Sequence, residues 1–171
     1  MIFNRIHRVA LFFFISSLSW HVHAWGPEGH QTTGYIAQSL LTPEASIRLN
    51  QLMPGVDLSQ VATWMDDERE NLKKSIPGSS QWHFYNLPVC DNKPKKDICR
   101  DGNCGIYRID EYFKVLQDPN ATRENKVFAV RVLVHVVGDL HQPLHAGDNN
   151  DRGGNKVKVG EHANLHYEWD N

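Results

Sequence analysis

The most restrictive feature of this sequence is a segment from about Asn125 to His141 in which apolar residues occupy nearly every face of a helix. A helix that is apolar all round packs inside a core. The pattern is helical despite many β-branched valines, which lower helix propensity slightly. We therefore expect a buried central helix that ends or kinks at Pro143.

The spacing of apolar residues predicts further helices on both sides of this segment. Thr42 and Pro43 have the residue types of an N-cap and a first helical position, and Thr122 can cap the central helix. Residues 82–88 fit either a strand or an extended loop. Also predicted are a helix from about Leu58 to Glu70, one that stops before Pro119, a short strand from Lys156 to Val159 and a last turn from Asn164. The fold class is all-α, mainly helical.

Residues 1–24 have the pattern of a secretory signal. Arg5 and Arg8 precede an apolar run that ends at Ile15, and Val22-His23-Ala24 resembles a cleavage site. An uncleaved membrane anchor is the alternative, but the apolar run is much shorter than the roughly 20 residues of a spanning helix. We expect cleavage after Ala24 and a secreted or periplasmic chain with no membrane attachment.

Residues 25–171 are long enough for one domain with a hydrophobic core but short for two. The formal net charge is -2. A chain with this charge has no overall positive field, so a polyanion would need a local positive feature such as a bound metal ion. Composition alone neither suggests nor excludes nucleic acid.

Three cysteines, Cys90, Cys99 and Cys104, lie close together in a chain expected to enter an oxidising compartment, where pairing is the default. Metal-binding thiolates are the alternative. Cys99 and Cys104 flank a polar stretch with glycine and asparagine, which is a suitable span for a small disulfide loop. This pairing leaves Cys90 without a partner in the sequence.

His135 and Asp139 stand four residues apart on the central helix and therefore project from one face. Burial of an imidazole and a carboxylate is costly unless they are paired or bind a cation. A hydrogen bond between the two inside a core would be the first interpretation of an isolated pair.

The pair is not isolated, because histidine and aspartate recur along the chain. His166 and Asp170 repeat the same spacing, and His145 follows the central helix. Further candidates upstream are His30, Asp66 and His83. Histidine and carboxylate ligands together suit zinc. His141 and His162 fall outside these groups and are expected at the surface or behind the ligands.

In the order and spacing of these residues, the sequence resembles the S1/P1 family of zinc-dependent nucleases that prefer single strands. The matching pattern is Trp25-x4-His30, Asp66, His83, His135-x3-Asp139-x5-His145 and His166-x3-Asp170. The family shares its fold with bacterial zinc phospholipase C. The resemblance therefore implies a helical domain of that type over residues 25–171.

The resemblance also implies three zinc ions and their ligands. The first ion would be bound by Asp66, His83, His135 and Asp139, with Asp139 bridging to the second. The second would be bound by His30 and by the α-amine and carbonyl oxygen of Trp25, which cleavage after Ala24 exposes. The third would be bound by His145, His166 and Asp170.

Several matching positions carry implied roles in catalysis or substrate binding. Asp66 corresponds to the general base, Arg69 to the arginine near the phosphate and Phe84 to the aromatic residue on which a base stacks. Asn86 stands where family members often have an aspartate that helps to hold the base, so base preference can differ here.

The implied activity is that of a monomeric endonuclease, without a stable protein partner, that cleaves single-stranded DNA and RNA to 5′-phosphorylated products. A phospholipase C with the same metal site is an alternative, and Phe84 and Arg69 favour the nuclease. Family members continue with more helix beyond their last zinc ligands, so the C-terminal part of the domain is expected to be missing. An inactive zinc-binding fragment is therefore a third interpretation.

Overall fold

The structure is a computed structural model in which residues 25–89, 99, 102–161 and 163–170 are described. Most of these residues are helical, which confirms the all-α prediction, and the short strands form two separate pairs. In chain order the elements are α1 (Pro27–Ser39), α2 (Pro43–Leu52), α3 (Leu58–Val61), α4 (Trp64–Asp67), α5 (Arg69–Ser75), β1 (Leu87–Pro88), α6 (Gly105–Gln117), α7 (Arg123–His141), α8 (Pro143–Ala146), β2 (Gly147–Asp148), β3 (Lys158–Val159), β4 (Ala163–Asn164) and α9 (Leu165–Asp170).

The predicted central helix is α7, and α1, α2, α3, α4, α6 and α8 all contact it. The side chain of Thr122 caps its start by accepting a hydrogen bond from the amide of Asn125 at 3.2 Å. It ends at His141, two residues before Pro143, which cannot continue the helical hydrogen bonding. Its buried residues are Ala129, Val130, Val132, His135, Val136, Gly138 and Asp139.

Two apolar clusters hold α7 in place. Val132 and Val136 pack with Met65, Leu72 and Trp82 in one cluster. The other cluster contains Val130 together with Met53, Leu58 and Val61. Burial of side chains of this size stabilises the fold by about 1.5–3 kcal/mol each, so these valines fix the rotation of α7 about its axis. The polar residues between them are thereby fixed as well.

The helix predicted from about Leu58 to Glu70 is instead three short helices, α3, α4 and α5. At the first break, the amide of Asp66 bonds to the carbonyl of Thr63, three residues back, at 2.9 Å. The carbonyl of Ala62 accepts a hydrogen bond from Nδ1 of the buried His135 at 2.7 Å. A tertiary hydrogen bond thus uses a carbonyl that a continuous helix would have paired internally.

The chain from Trp82 to Pro88 is a turn followed by extended chain that ends in β1. β1 pairs in parallel with β2. The amide of Tyr85 donates to the carbonyl of His145 at 2.8 Å, so the extended chain lies along the segment that follows α7. The strand expected near residues 156–159 is β3, which pairs antiparallel with β4.

Cys99 and Cys104 form the expected disulfide, with their Cα atoms 5.7 Å apart. Cys104 is buried and is the N-cap residue of α6, so the bond attaches the preceding loop to the start of that helix.

Cys90 lies outside the described residues, as does the proposed signal segment at residues 1–24. In the part of the chain that the structure describes, no helix is long and apolar enough to cross a membrane.

Candidate metal centre

His135 and Asp139 lie on the buried face of α7, and His30 of α1 lies directly beside them. Both α7 residues have no exposed surface. The rings of His30 and His135 stack with their centroids 4.0 Å apart. This contact requires a small residue on α7, because a Cβ atom at Gly138 would lie 2.9 Å from Oγ1 of Thr33 and 3.3 Å from Nδ1 of His30.

Asp66 and His83 complete a first cluster around Asp139. Oδ2 of Asp139 lies 2.8 Å from Nδ1 of His83 and 3.1 Å from Nε2 of His135. Nε2 of His30 lies 3.4 Å from Oδ1 of Asp139 and 3.6 Å from Oδ2 of Asp66. Two sets of donor atoms that could hold a metal ion, each within 4.8 Å, are those of His30, Asp66 and His135 and those of His83, His135 and Asp139.

A third set of donor atoms within 4.8 Å comes from His145, His166 and Asp170. Oδ2 of Asp170 lies 3.0 Å from Nε2 of His166 and 3.7 Å from Nε2 of His145. Nδ1 of His145 also lies 3.4 Å from Oδ1 of Asp139. The third set therefore adjoins the first two.

Backbone carbonyls orient three of these imidazoles through Nδ1. The contacts are from His135 to Ala62 at 2.7 Å, from His145 to His83 at 3.0 Å and from His166 to Gly153 at 2.7 Å. Because a carbonyl can only accept, Nδ1 carries the hydrogen, and Nε2 of the neutral ring carries the lone pair. This is the usual arrangement of metal-binding histidines.

The lone pairs of these Nε2 atoms face carboxylate oxygens. A lone pair and a carboxylate oxygen repel each other unless a proton or a metal ion lies between them. Burial lowers the pKa of His145, but the carboxylates of Asp139 and Asp170 outweigh burial and raise this pKa to about 9. The electrostatic field of the site thus favours positive charge beside His145. A divalent cation would supply that charge in place of a proton.

The carboxylates of Asp139 and Asp170 are ionised at neutral pH. Burial by itself raises the pKa of Asp139, yet the imidazoles of His135, His145 and His30 hold it well below its usual range. Burial also opposes ionisation of Asp170, and the adjacent imidazoles of His145 and His166 lower its pKa nevertheless. Metal binding requires deprotonated carboxylates of this kind.

Three carboxylate oxygens in the cluster are buried and make no hydrogen bond, namely Oδ2 of Asp66, Oδ1 of Asp139 and Oδ2 of Asp170. A buried carboxylate oxygen without a partner is costly. Each of the three donor sets contains one of these three aspartates. The donor types, their burial and these oxygens fit divalent metal ions.

Trp25 and Arg69 border these donor sets. The backbone N–H of Trp25 lies against the carboxylate of Asp170 and helps to lower its pKa. Nη2 of Arg69 lies 2.6 Å from Oδ1 of Asp66, while 37% of the arginine side chain is exposed. Metal binding by Trp25 stays a prediction, as does phosphate binding by Arg69.

Phe84 and Asn86 follow His83 on the extended chain and are both half-buried. The carbonyl of Phe84 accepts a hydrogen bond from the amide of Gly105 at 3.2 Å. Asn86 has a positive φ of 55°, a conformation that asparagine adopts more readily than most residues. Both residues are therefore fixed beside the donor sets, and contact with a base stays a prediction.

Two residues of the site were not singled out from the sequence. Gln142 is fully buried and donates a hydrogen bond to Asp170. Gly153 provides the carbonyl that orients His166. The available signals were a glutamine directly between two helices that carry candidate ligands and a double glycine before the last candidate pair. His141 is exposed, as expected, and His162 lies outside the described residues.

Substitution of Gly153 by alanine is expected to damage the third donor set. Gly153 has a φ of +58°, and an added Cβ would lie 2.1 Å from the carbonyl oxygen of Leu144. Gly160 has a φ of +66° with nothing within 4 Å, so Gly160→Ala measures the conformational cost alone, about 1–2 kcal/mol. Chemical denaturation should show a larger loss for Gly153→Ala, with weaker metal binding. Equal losses in the two variants would show that the contact with Leu144 does not constrain the loop.

Comparisons with known proteins identify relatives of this chain. The model of the S1/P1 Nuclease family matches residues 25–171. The chain is 35% identical over 156 residues to Nuclease P1 of Penicillium citrinum, covering 85% of this chain and 57% of that protein. It is 34% identical over 162 residues to Nuclease S1 of Aspergillus oryzae, with 86% and 54% covered. It is 32% identical over 167 residues to Endonuclease 2 of Arabidopsis thaliana, with 88% and 56% covered.

The chain spans about half the length of these curated relatives. The matched region nevertheless contains every candidate ligand from Trp25 to Asp170. The family match thus includes all three donor sets that the fold brings together. On this evidence the chain belongs to the S1/P1 nuclease family.

Proposed function

We propose that residues 25–171 belong to a zinc-dependent endonuclease that cleaves single-stranded DNA and RNA to 5′-phosphorylated products. The observation that carries this proposal is the presence of three adjoining sets of histidine and aspartate donors, each containing an aspartate that has a buried carboxylate oxygen without a hydrogen bond. Membership of a nuclease family supports a phosphodiester as the substrate.

Three ions are proposed because the site has three donor sets. Zinc is the proposed metal because imidazole and carboxylate donors suit it. Zinc, when bound, supplies Lewis acidity and lowers the pKa of a coordinated water to about 7. The residues that would hold the ions are Trp25, His30, Asp66, His83, His135, Asp139, His145, His166 and Asp170. Asp139, which contacts imidazoles from both of the first two donor sets, is the proposed bridging ligand.

Asp66 and Arg69 are the proposed catalytic pair beside the ions. An ionised Asp66 would accept a proton from the attacking water as general base. Its bond to Nη2 anchors Arg69, whose exposed part offers further N–H donors to phosphate oxygens. Donors fixed in advance at the position where negative charge develops stabilise the transition state.

Phe84 is the proposed stacking platform for a base, with Asn86 at the base edge. Both lie on the segment that also carries His83, so a base held there would be close to the metal ligands. Stacking uses the π-face of any base, so the proposed site would accept different base sequences and both sugars. It also requires a base free of its duplex partner.

The protein is proposed to act outside the cytoplasm as a monomer, after removal of residues 1–24. The family match begins at Trp25, the residue that the proposed cleavage would expose. The Cys99–Cys104 disulfide supports an oxidising compartment. The proposed partners are the nucleic-acid substrates alone, without a stable protein partner or membrane attachment.

Purified chain beginning at Trp25 tests this function. With zinc, it should cleave single-stranded DNA and RNA faster than duplex and faster than phosphatidylcholine, and end-labelling should find 5′-phosphates. Equal rates on paired and unpaired strands, or faster lipid hydrolysis, would favour a phospholipase C. Full zinc content and a cooperative melt without turnover would favour the inactive zinc-binding interpretation.

Phe84→Ala should slow cleavage of single strands by an amount equivalent to about 1–3 kcal/mol, the contribution of one stacking platform. Zinc content should not change. Phe113→Ala is the matched control, because Phe113 is an exposed ring on α6. If both variants cleave at the wild-type rate, Phe84 is not the platform.

A further inference from the structure

Gln142 is fully buried at the junction between α7 and α8, and both ends of its side-chain amide are hydrogen-bonded. Nε2 donates to Oδ1 of Asp170 at 2.5 Å. Oε1 accepts a hydrogen bond from the amide of Leu144 at the start of α8. The side chain therefore links the helix junction to a candidate metal ligand that is 28 residues away in the sequence.

The bond to Asp170 restricts rotation of the carboxylate that faces the third donor set. The terminal torsion of an aspartate is broad, so an unrestrained carboxylate could turn its plane away from the third donor set. In the structure Oδ1 is occupied by Gln142. Oδ2, which makes no hydrogen bond, lies 3.0 Å from Nε2 of His166.

We propose that Gln142 is a positioning residue that holds Asp170 in the orientation needed to bind the third metal ion. The inference rests on the proposed zinc function and adds a residue that contacts neither the ion nor the substrate. Hydrogen-bond partners behind metal ligands typically change metal affinity by about 10–100-fold when removed. A change of that size in the third zinc affinity is the expected effect.

The competing interpretation is that Gln142 only caps α8, which carries His145. Two substitutions separate the roles. Gln142→Glu keeps an oxygen for the amide of Leu144 but, when ionised, has no hydrogen to donate to Asp170. Gln142→Met has a similar length and provides neither group. A capping role predicts near-normal zinc affinity for the glutamate variant, whereas a positioning role predicts that both variants lose affinity.

The test is zinc titration against a competing chelator, with bound zinc counted by elemental analysis and folding checked by circular dichroism. Both Gln142 variants should bind one of three zinc ions about 10–100-fold more weakly. Gln38→Met is the matched control, because Oε1 of Gln38 accepts the amide of Leu58 at 3.1 Å away from the donor sets. The control should keep all three affinities. In a His166→Ala background, which lacks the third site, Gln142→Glu should have no further effect.

The outcomes distinguish this inference from the proposed function. Wild-type protein that binds fewer than three zinc ions contradicts the proposed site, and the inference with it. Wild-type protein with three ions, together with normal affinities in Gln142→Glu, overturns the positioning role alone. Loss of folding in both variants at saturating zinc also overturns it, because Gln142 would then be a general structural residue.

Discussion

Asp139→Ala is expected to remove at least two of the three proposed zinc ions and to reduce turnover by more than about a thousand-fold. One lost electrostatic donor at a reacting centre costs about 10²–10³ in rate, and this substitution removes ligands from two ions at once. Asp139 is completely buried, and its two oxygens lie within 3.4 Å of four imidazoles, those of His30, His83, His135 and His145.

The same substitution should destabilise the protein. Without the carboxylate, four buried imidazoles lose an anion that they share, and breaking a buried charge pair costs about 3–5 kcal/mol. Elemental analysis and thermal melts in the presence of zinc measure the two effects. Asp110→Ala is the control, because Asp110 is an exposed residue of α6 whose carboxylate pairs with Lys114 at 2.5 Å. Surface pairs of this kind contribute about 0–1 kcal/mol.

The number of ions lost by Asp139→Ala decides whether the carboxylate bridges. Retention of one ion would place that ion at His145, His166 and Asp170, whose donor atoms form a set without Asp139. Loss of a single ion would refute bridging and leave two independent sites around α7.

One extra residue before Trp25 is expected to lower zinc content from three ions to two and to reduce turnover by more than about 100-fold. Loss of a hydrogen-bond partner behind a metal ligand costs up to about 100-fold, and loss of a proposed ligand itself should cost more. A free α-amine has a lone pair for a metal, whereas the nitrogen lone pair of a peptide bond is delocalised. The backbone nitrogen of Trp25 lies at the carboxylate of Asp170, so a terminal amine there would be close to the donor sets.

Three proteins test this prediction by zinc analysis and by turnover of single-stranded DNA. The first begins at Trp25, the second has one additional glycine before it, and the third begins with alanine in place of Trp25. The third keeps the amine and the carbonyl, so it should bind three ions even if loss of the ring from its place beside Gly29 lowers stability. If the extended protein binds zinc and turns over like the first, Trp25 is not a ligand.

Much of the fold and site could be predicted from the sequence because the relevant signals are local. The continuous apolar pattern of α7 predicts a buried helix, and Thr122 and Pro143 set its limits. A spacing of four residues puts His135 and Asp139 on one helical face whatever the rest of the chain does. The close spacing of Cys99 and Cys104 likewise suggested their disulfide.

The tertiary structure decided which groups contact each other across the chain. The break between α3 and α4 could not be predicted, because it depends on a hydrogen bond from His135 to Ala62, 73 residues away. Gln142 and Gly153 act through contacts with Asp170 and His166 that leave no local periodic pattern. The sequence thus determined the candidate donor residues and the central helix. Only packing around α7 determined the distances between these donors and the hydrogen bonds that orient them, because those depend on residues far apart in the chain.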